Sequence, residues 1–265
     1  MKKVLALLLV VTLALTSVFA QAASEKSTET AKTELIVFAA ASMKETLTQI
    51  KGVYEEANPN ITLTFNFDSS GTLKTQIEQG ADCDVFLSAA TKQMNQLTEL
   101  GMVDTSTRLD LLENKTAHAV PEGNEKNIQS FDQLAELLKE GKVLLAIGNS
   151  DVPVGQYTQK IFAYYGLDEA AIASSLTYGT NVKEVTTQVS QNSVDCGIIY
   201  ATDAFSAGLT VVDTATSEMT GGKVIYPVAV LSVSKHPVEA KAFVDYLTSD
   251  EAMAVFASVG FASAL

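Results

Sequence analysis

An alternation constrains this chain most: a short apolar run, then a stretch with helical spacing, repeated. LIVFAAA (35–41) reads as a buried strand. SMKETLTQIKGVYEEAN then sets Met43, Leu47, Ile50, Val53 and Tyr54 near helical spacing. Asn58-Pro59-Asn60 stops that helix. ITLTFNF (61–67) alternates strictly, as a half-buried strand does. DSSGTL opens a helix through Gln79 with a stop at Gly80, and DVFLSAA (84–90) is a third strand before the short helix TKQMNQLTELGMV. The order β-α-β-α-β-α predicts a mostly parallel sheet with helices on both faces.

The rhythm restarts further on. VLLAIGN (143–149) is a strand and VPVGQYTQKIFAYYG (152–166) a helix with its lead-in. SLTYGTN and VKEVTTQVSQ form another strand-to-helix unit, and CGIIYATDA (196–204) is a strand running into a turn. VIYPVAVLSV (224–233) is a long β-branched run, and 236–261 reads as two amphipathic helices. The expected architecture is α/β in two lobes, each a mostly parallel sheet flanked by helices, with a ligand cleft between them. The run at 224–233 carries the chain back, so lobe 1 is 33–115 plus 225–265 and lobe 2 is 116–224. ADCDVFLSAATK and VDCGIIYATDA echo each other, each placing Asp-Cys ahead of a strand. Ligands in open parallel sheets lie beyond the carboxyl ends of strands. Cys83 and Cys196, at the opposite ends, should therefore sit at far poles as free, buried thiols.

The N-terminus reads MKKVLALLLVVTLALTSVFAQA, with two lysines, an apolar run and small residues. This is the layout of a secretory signal peptide over 1–22, cleaved after Ala20 or Ala22, with 23–32 as a polar lead-in. No cysteine lies near the cleavage region, so the sequence does not indicate a lipid anchor. Loss of Lys2 and Lys3 with the leader lowers the formal charge of −13 by two, to −15. Such a chain is a poor partner for nucleic acid or an anionic membrane surface. An anion site in it must rely on local dipoles and hydrogen bonds.

Enzyme chemistry finds no constellation. There is no G-x-S-x-G elbow, P-loop or dinucleotide-binding glycine pattern. The two histidines are His118, inside the strand-like TAHAV, and His236, ahead of a proline at a helix entry. No Cys/His/Asp cluster has metal-ligand spacing. Hydroxylic strand-to-helix junctions remain. AAAS puts Ser42 at a helix N-cap, in a capping box with Glu45, and FDSSGTL puts Ser69, Ser70 and Gly71 at the next helix start. First-turn amides lack internal partners and suit anions. Both junctions follow neighbouring strands and should converge on one crevice.

These motifs, FAAASMKETL and FDSSGTLKTQIEQGADCDVFLSAA, resemble those of the periplasmic molybdate-binding proteins of ABC transporters. The resemblance continues through SDVPVGQY, TNVKEVTTQV, GIIYATDA and YPVAV, and so covers essentially the whole mature chain. It implies a non-enzymatic binding protein whose lobes close on a tetrahedral oxyanion, molybdate with tungstate as co-ligand. The anion-binding roles fall on Ser42, Ser70, Val154, Val182 and Tyr200, with no cofactor and no metal-cation ligand. Three hydroxyls and the amides at Ser42, Ser70, Val154 and Val182 would face four oxygens. The implied partner is a membrane permease, the implied form a monomer, and the implied place the periplasm or another extracytoplasmic space. Sulfate, another small oxyanion or an organic acid is the alternative ligand, and an exported serine hydrolase using Ser42 or Ser70 is the alternative class. The chain departs from the family pattern at Asp68 and Gly71. Asp68 is expected to face outward in an Asx-turn-like role. Gly71 is expected to let a ligand approach the backbone closely.

Overall fold

The computed structural model describes residues 32–265. The expected leader and most of the lead-in lie outside them. Eleven strands follow in chain order: β1 (Thr33–Ala40), β2 (Ile61–Asp68), β3 (Val85–Leu87), β4 (Leu109–Asn114), β5 (Thr116–Val120), β6 (Leu145–Gly148), β7 (Leu176–Gly179), β8 (Cys196–Tyr200), β9 (Thr210–Thr214), β10 (Val224–Val230) and β11 (Ala262–Ser263). They make two sheets, ordered β11-β4-β10-β3-β1-β2 and β7-β6-β8-β5-β9.

Both sheets are mixed. The strands of the expected β-α-β units pair in parallel: β1 with β2 and β3, and β6 with β7 and β8. The antiparallel pairs come from strands that carry the chain between the sheets. β4 leaves the first sheet and β10 returns to it, while β5 enters the second and β9 leads out. A strand reached without a helical crossover has no requirement to run parallel. β4, β9 and the helix Phe131–Lys139 carried no expectation from the sequence.

β1 shows why its run is apolar throughout. Leu35, Val37 and Ala39 pack in one core cluster, with Met43, Leu47, Ile50 and Tyr54 from the following segment. Phe38 packs on the other face with Leu73, Ile77, Met94 and Leu97, from the helices Ser70–Glu78 and Thr91–Glu99. A strand covered on both faces has no polar side to display. Each such Leu or Phe contributes about 1.5–3 kcal/mol by leaving water.

The Asp-Cys echo has a structural content, shifted by one residue. The paired carboxylates are Asp84 and Asp195, each just before its strand. Asp84 accepts from the Ile36 N–H at 2.8 Å, and Asp195 from the Leu144 N–H at 2.8 Å. Each carboxylate thus ties the start of its strand to a neighbouring segment. Cys83 and Cys196 are free and buried. Burial pushes the Cys83 thiol up to about 12 and the Cys196 thiol higher still, so both stay protonated and inert.

Candidate oxyanion site

Six strands deliver their carboxyl ends to one place. Ala40 ends β1, with Ala41 and Ser42 after it; Asp68 ends β2, with Ser69 and Ser70 after it; and Ala89 follows β3. From the other sheet come Val152 and Pro153 after β6, Val182 after β7 and Tyr200 at the end of β8. They border a small hollow of about 190 Å³, a volume that includes the part open to solvent. Larger hollows exist, such as one of about 680 Å³ beside Pro121, Glu122 and Asp195, but it lies away from these strand ends.

Four of the five expected contact residues, Ser42, Ser70, Val182 and Tyr200, line this cavity. Val154 does not; Val152 and Pro153 stand at the wall in its place. Val154 is the second residue of the helix Pro153–Tyr164 and is fully buried. Its amide belongs to the first turn and has no acceptor within the helix. Gly155 lets this helix start press onto β6, since a Cβ there would lie 2.6 Å from the carbonyl carbon of Gly148.

Ser42 is not the cap its spacing suggests. A 3-10 turn, Ala41–Met43, precedes the helix Lys44–Ala57, whose N-cap is Met43 with no side-chain cap bond. The tighter turn draws Ser42 inside the helical path, and its Oγ lies 3.0 Å from Tyr226 Oη. Glu45, released from any capping box, reaches Lys183 Nζ at 2.7 Å. Ser69 caps the next helix by accepting from the Thr72 N–H at 3.1 Å. That leaves Ser70 free of capping, and its Oγ accepts from the Ala89 N–H at 2.9 Å. Tyr200 Oη donates to the Ala89 carbonyl at 3.4 Å. Burial raises the Tyr200 phenol well above its ordinary value, so it remains a donor at neutral pH.

The two departures behave differently from expectation. Asp68 keeps its local bond, accepting from the Ser69 N–H at 2.7 Å, yet it lines the cavity instead of facing outward. Asn181 Nδ2, from the other sheet's side, approaches the same oxygen at 3.5 Å. Gly71 does not make room for a ligand. A Cβ there would collide with the backbone carbonyl of Asp151, so its role is close approach between the lobes.

No Lys or Arg is among the cavity-lining residues. The cation beside it is Lys183, which spans Asp203 Oδ1 at 2.8 Å and Glu45. The Lys183–Asp203 contact is an ion pair through Oδ1, and Asp203 Oδ2 has no hydrogen-bond partner. Burial lifts the Asp203 carboxyl to about 6, with Lys183 pulling it back. Burial lowers Lys183, but Asp203 and Glu45 outweigh it, and the net direction is upward. Tyr226, Asn114, Lys183 and Asp203 went unassigned in the sequence reading. YPVAV and ATDA marked their segments, but no spacing rule pairs residues 184 apart in sequence, as Ser42 and Tyr226 are.

Two α/β lobes with a small cavity at the facing carboxyl ends of their strands define a two-lobed binding protein. Residues 35–262 match the family described as bacterial extracellular solute-binding protein, and this chain belongs to that family. The putative ABC transporter substrate-binding lipoprotein YvgL of Bacillus subtilis is 35% identical over 87% of this chain and 86% of its own. The molybdate-binding protein ModA of Escherichia coli is 32% identical, over 86% of this chain and 88% of its own. Among solved structures, the substrate-binding domain of a putative molybdenum ABC transporter from Clostridium difficile superposes with a TM-score of 0.64. It is 32% identical and covers 86% of this chain and 97% of its own.

Proposed function

We propose that this protein captures molybdate, and tungstate with it, and delivers the anion to an ABC permease in the membrane. The reading takes it as an exported, monomeric, non-enzymatic protein. Lobe 1 is 33–115 with 225–265, and lobe 2 is 116–224. The convergence of Ser42, Ser70, Val182 and Tyr200 on one cavity carries the proposal. The ligand contacts are the three hydroxyls with the amides at Ser42, Ser70, Val154 and Val182.

The physics favours a fully deprotonated oxyanion. Every proposed contact donates, so each ligand oxygen must accept. A protonated oxyanion would set its own O–H against a donor and leave both unsatisfied, at about 1–3 kcal/mol. Asp68 in the wall works against this bias, since a carboxylate repels a dianion and can accept a proton from an anion that carries one, and the Ser69 N–H it accepts from offsets part of that charge. Sulfate is equally deprotonated and has to be refused by size. Molybdate and tungstate are near equal in size, so the same cage suits both. A serine hydrolase is disfavoured, since neither histidine is among the cavity-lining residues.

Titration calorimetry with molybdate, tungstate, sulfate and phosphate tests this. Tight binding of the first two is expected, with Ser70→Ala costing about 1.5–3 kcal/mol of that affinity. Silence with molybdate and tight sulfate binding would overturn the molybdate assignment.

A further inference from the structure

Ser42 Oγ and Tyr226 Oη are 3.0 Å apart, and either could supply the proton. The surroundings decide which. Asn114 Oδ1 accepts from the Lys115 N–H at 2.8 Å, which fixes the amide's orientation. Its Nδ2 therefore points the other way, donating to Thr202 Oγ1 at 2.9 Å and Tyr226 Oη at 3.1 Å. An amide nitrogen can only donate, so Tyr226 Oη accepts there and keeps its own proton for another partner. Ser42 Oγ is the partner in place.

We infer that Asn114 and Tyr226 form a directional relay that fixes Ser42 as a donor, making them the residues that set discrimination by ligand protonation. The chain runs from Asn114 Nδ2 to Tyr226 Oη to Ser42 Oγ, and leaves the serine proton free to point into the cavity. Ser70 is set the same way by a shorter route, since its Oγ already accepts from the Ala89 N–H. A serine hydroxyl is ordinarily ambidextrous and would turn to accept a ligand O–H. Here each serine oxygen already accepts one hydrogen bond from behind, which occupies one of its two lone pairs and leaves its proton as the group that turns to the ligand.

The strands hold the relay rigidly. Asn114 ends β4 and is paired with Val224, two residues before Tyr226 on β10. The ladder shifts between Tyr226 and Pro227, which face Leu112 and Asp110 and leave Leu111 as the extra residue. Tyr226 is 1% exposed and Asn114 4% exposed, so water does not compete for either group. The Tyr226 ring also sits edge-on to Tyr200 at 5.6 Å and to Phe261 at 5.2 Å. Burial raises its phenol well above the usual range, so the proton the relay needs is retained at neutral pH.

The inference rests on the oxyanion reading of this cavity, and its test separates the two. Wild type and Tyr226→Phe are titrated with molybdate, sulfate and phosphate from pH 5.5 to 8, with thermal melts as the check on folding. Phosphate carries a proton across that range, and sulfate does not. In Tyr226→Phe, molybdate and sulfate are expected to weaken in step. Phosphate is expected to weaken less or to gain, so that its affinity relative to molybdate rises about tenfold. Asn114→Leu frees Tyr226 Oη to accept from Ser42 and should move the ratio the same way, which covers a Tyr226 variant that does not fold. Equal losses for all three anions would overturn the relay and leave Tyr226 a packing residue. A wild type that binds none of them would instead overturn the site.

Discussion

At the scale of single residues, buried polar groups divide into those that serve the cavity and those that do not. His118, on β5, belongs to the second kind. It is fully buried, neither ring nitrogen has a partner, and the Phe131 ring lies 5.3 Å away. Burial lowers it to about 4, with Asp213 opposing. Its folded value lies below the unfolded value of about 6.5, so the unfolded chain binds the extra proton first. Its contribution is present above pH 6.5 and is lost as pH falls toward 4. Asp203, raised to about 6, runs the opposite way, favouring the native state as pH falls through that value. The clean observable is therefore a difference. His118→Leu should melt closer to, or above, wild type as pH drops from 6.5 to 4.5, with wild type regaining its advantage at pH 7.5. A gap independent of pH would contradict this.

Elements bring the residues together, and here the sequence was legible in part. Helical spacing and apolar runs placed β1, β2 and β3 and the helices between them, because both faces of that sheet are covered and the pattern is strong. The strands between the lobes were not legible. β4 carries Asp and Glu among its leucines, and β9 is largely exposed, so neither shows a clear period. Ser42 stands at the seam after β1 and lines the cavity, but it is not the cap its spacing suggests, since a 3-10 turn and a cap begin from the same letters. Lys183 is an element-level contact between the helices Val182–Ser190 and Lys44–Ala57. It joins the segments that hold Val182, Tyr200 and Ser42. Lys183→Met would leave Asp203 buried and unpaired, and should weaken anion binding more than Glu45→Gln does. Adding Asp203→Asn to Lys183→Met should restore part of the loss. Equal affinities in all three variants would remove the network from the account.

For the whole molecule, the geometry is that of lobes in contact. Gly71 meets the Asp151 backbone, Gln93 Nε2 reaches Gln156 Oε1 at 3.3 Å, and Lys183 meets Glu45. Ligand binding in such a protein is coupled to hinge closure. Gly71→Ala should fold normally but resist full approach of the lobes. Small-angle scattering should then show a smaller ligand-induced compaction than in wild type, together with weaker binding. Full compaction in Gly71→Ala would mean the lobes close by another route. The acidic balance of the chain, a formal −13, makes this architecture informative. Neutral hydroxyls and amides, brought from both lobes, are what would hold an anion against that field.

The most direct test is the location of the anion itself. A crystal structure grown with molybdate, with molybdenum placed by its anomalous signal, should show one tetrahedral anion within hydrogen-bond reach of the Ser42, Ser70 and Tyr200 hydroxyls. First-turn amides should complete its shell, and no lysine should touch it. Molybdenum bound elsewhere, for instance beside Lys92 and Lys160 in the hollow next to Tyr157, with the Ser42–Ser70–Tyr200 cavity empty, would contradict the account.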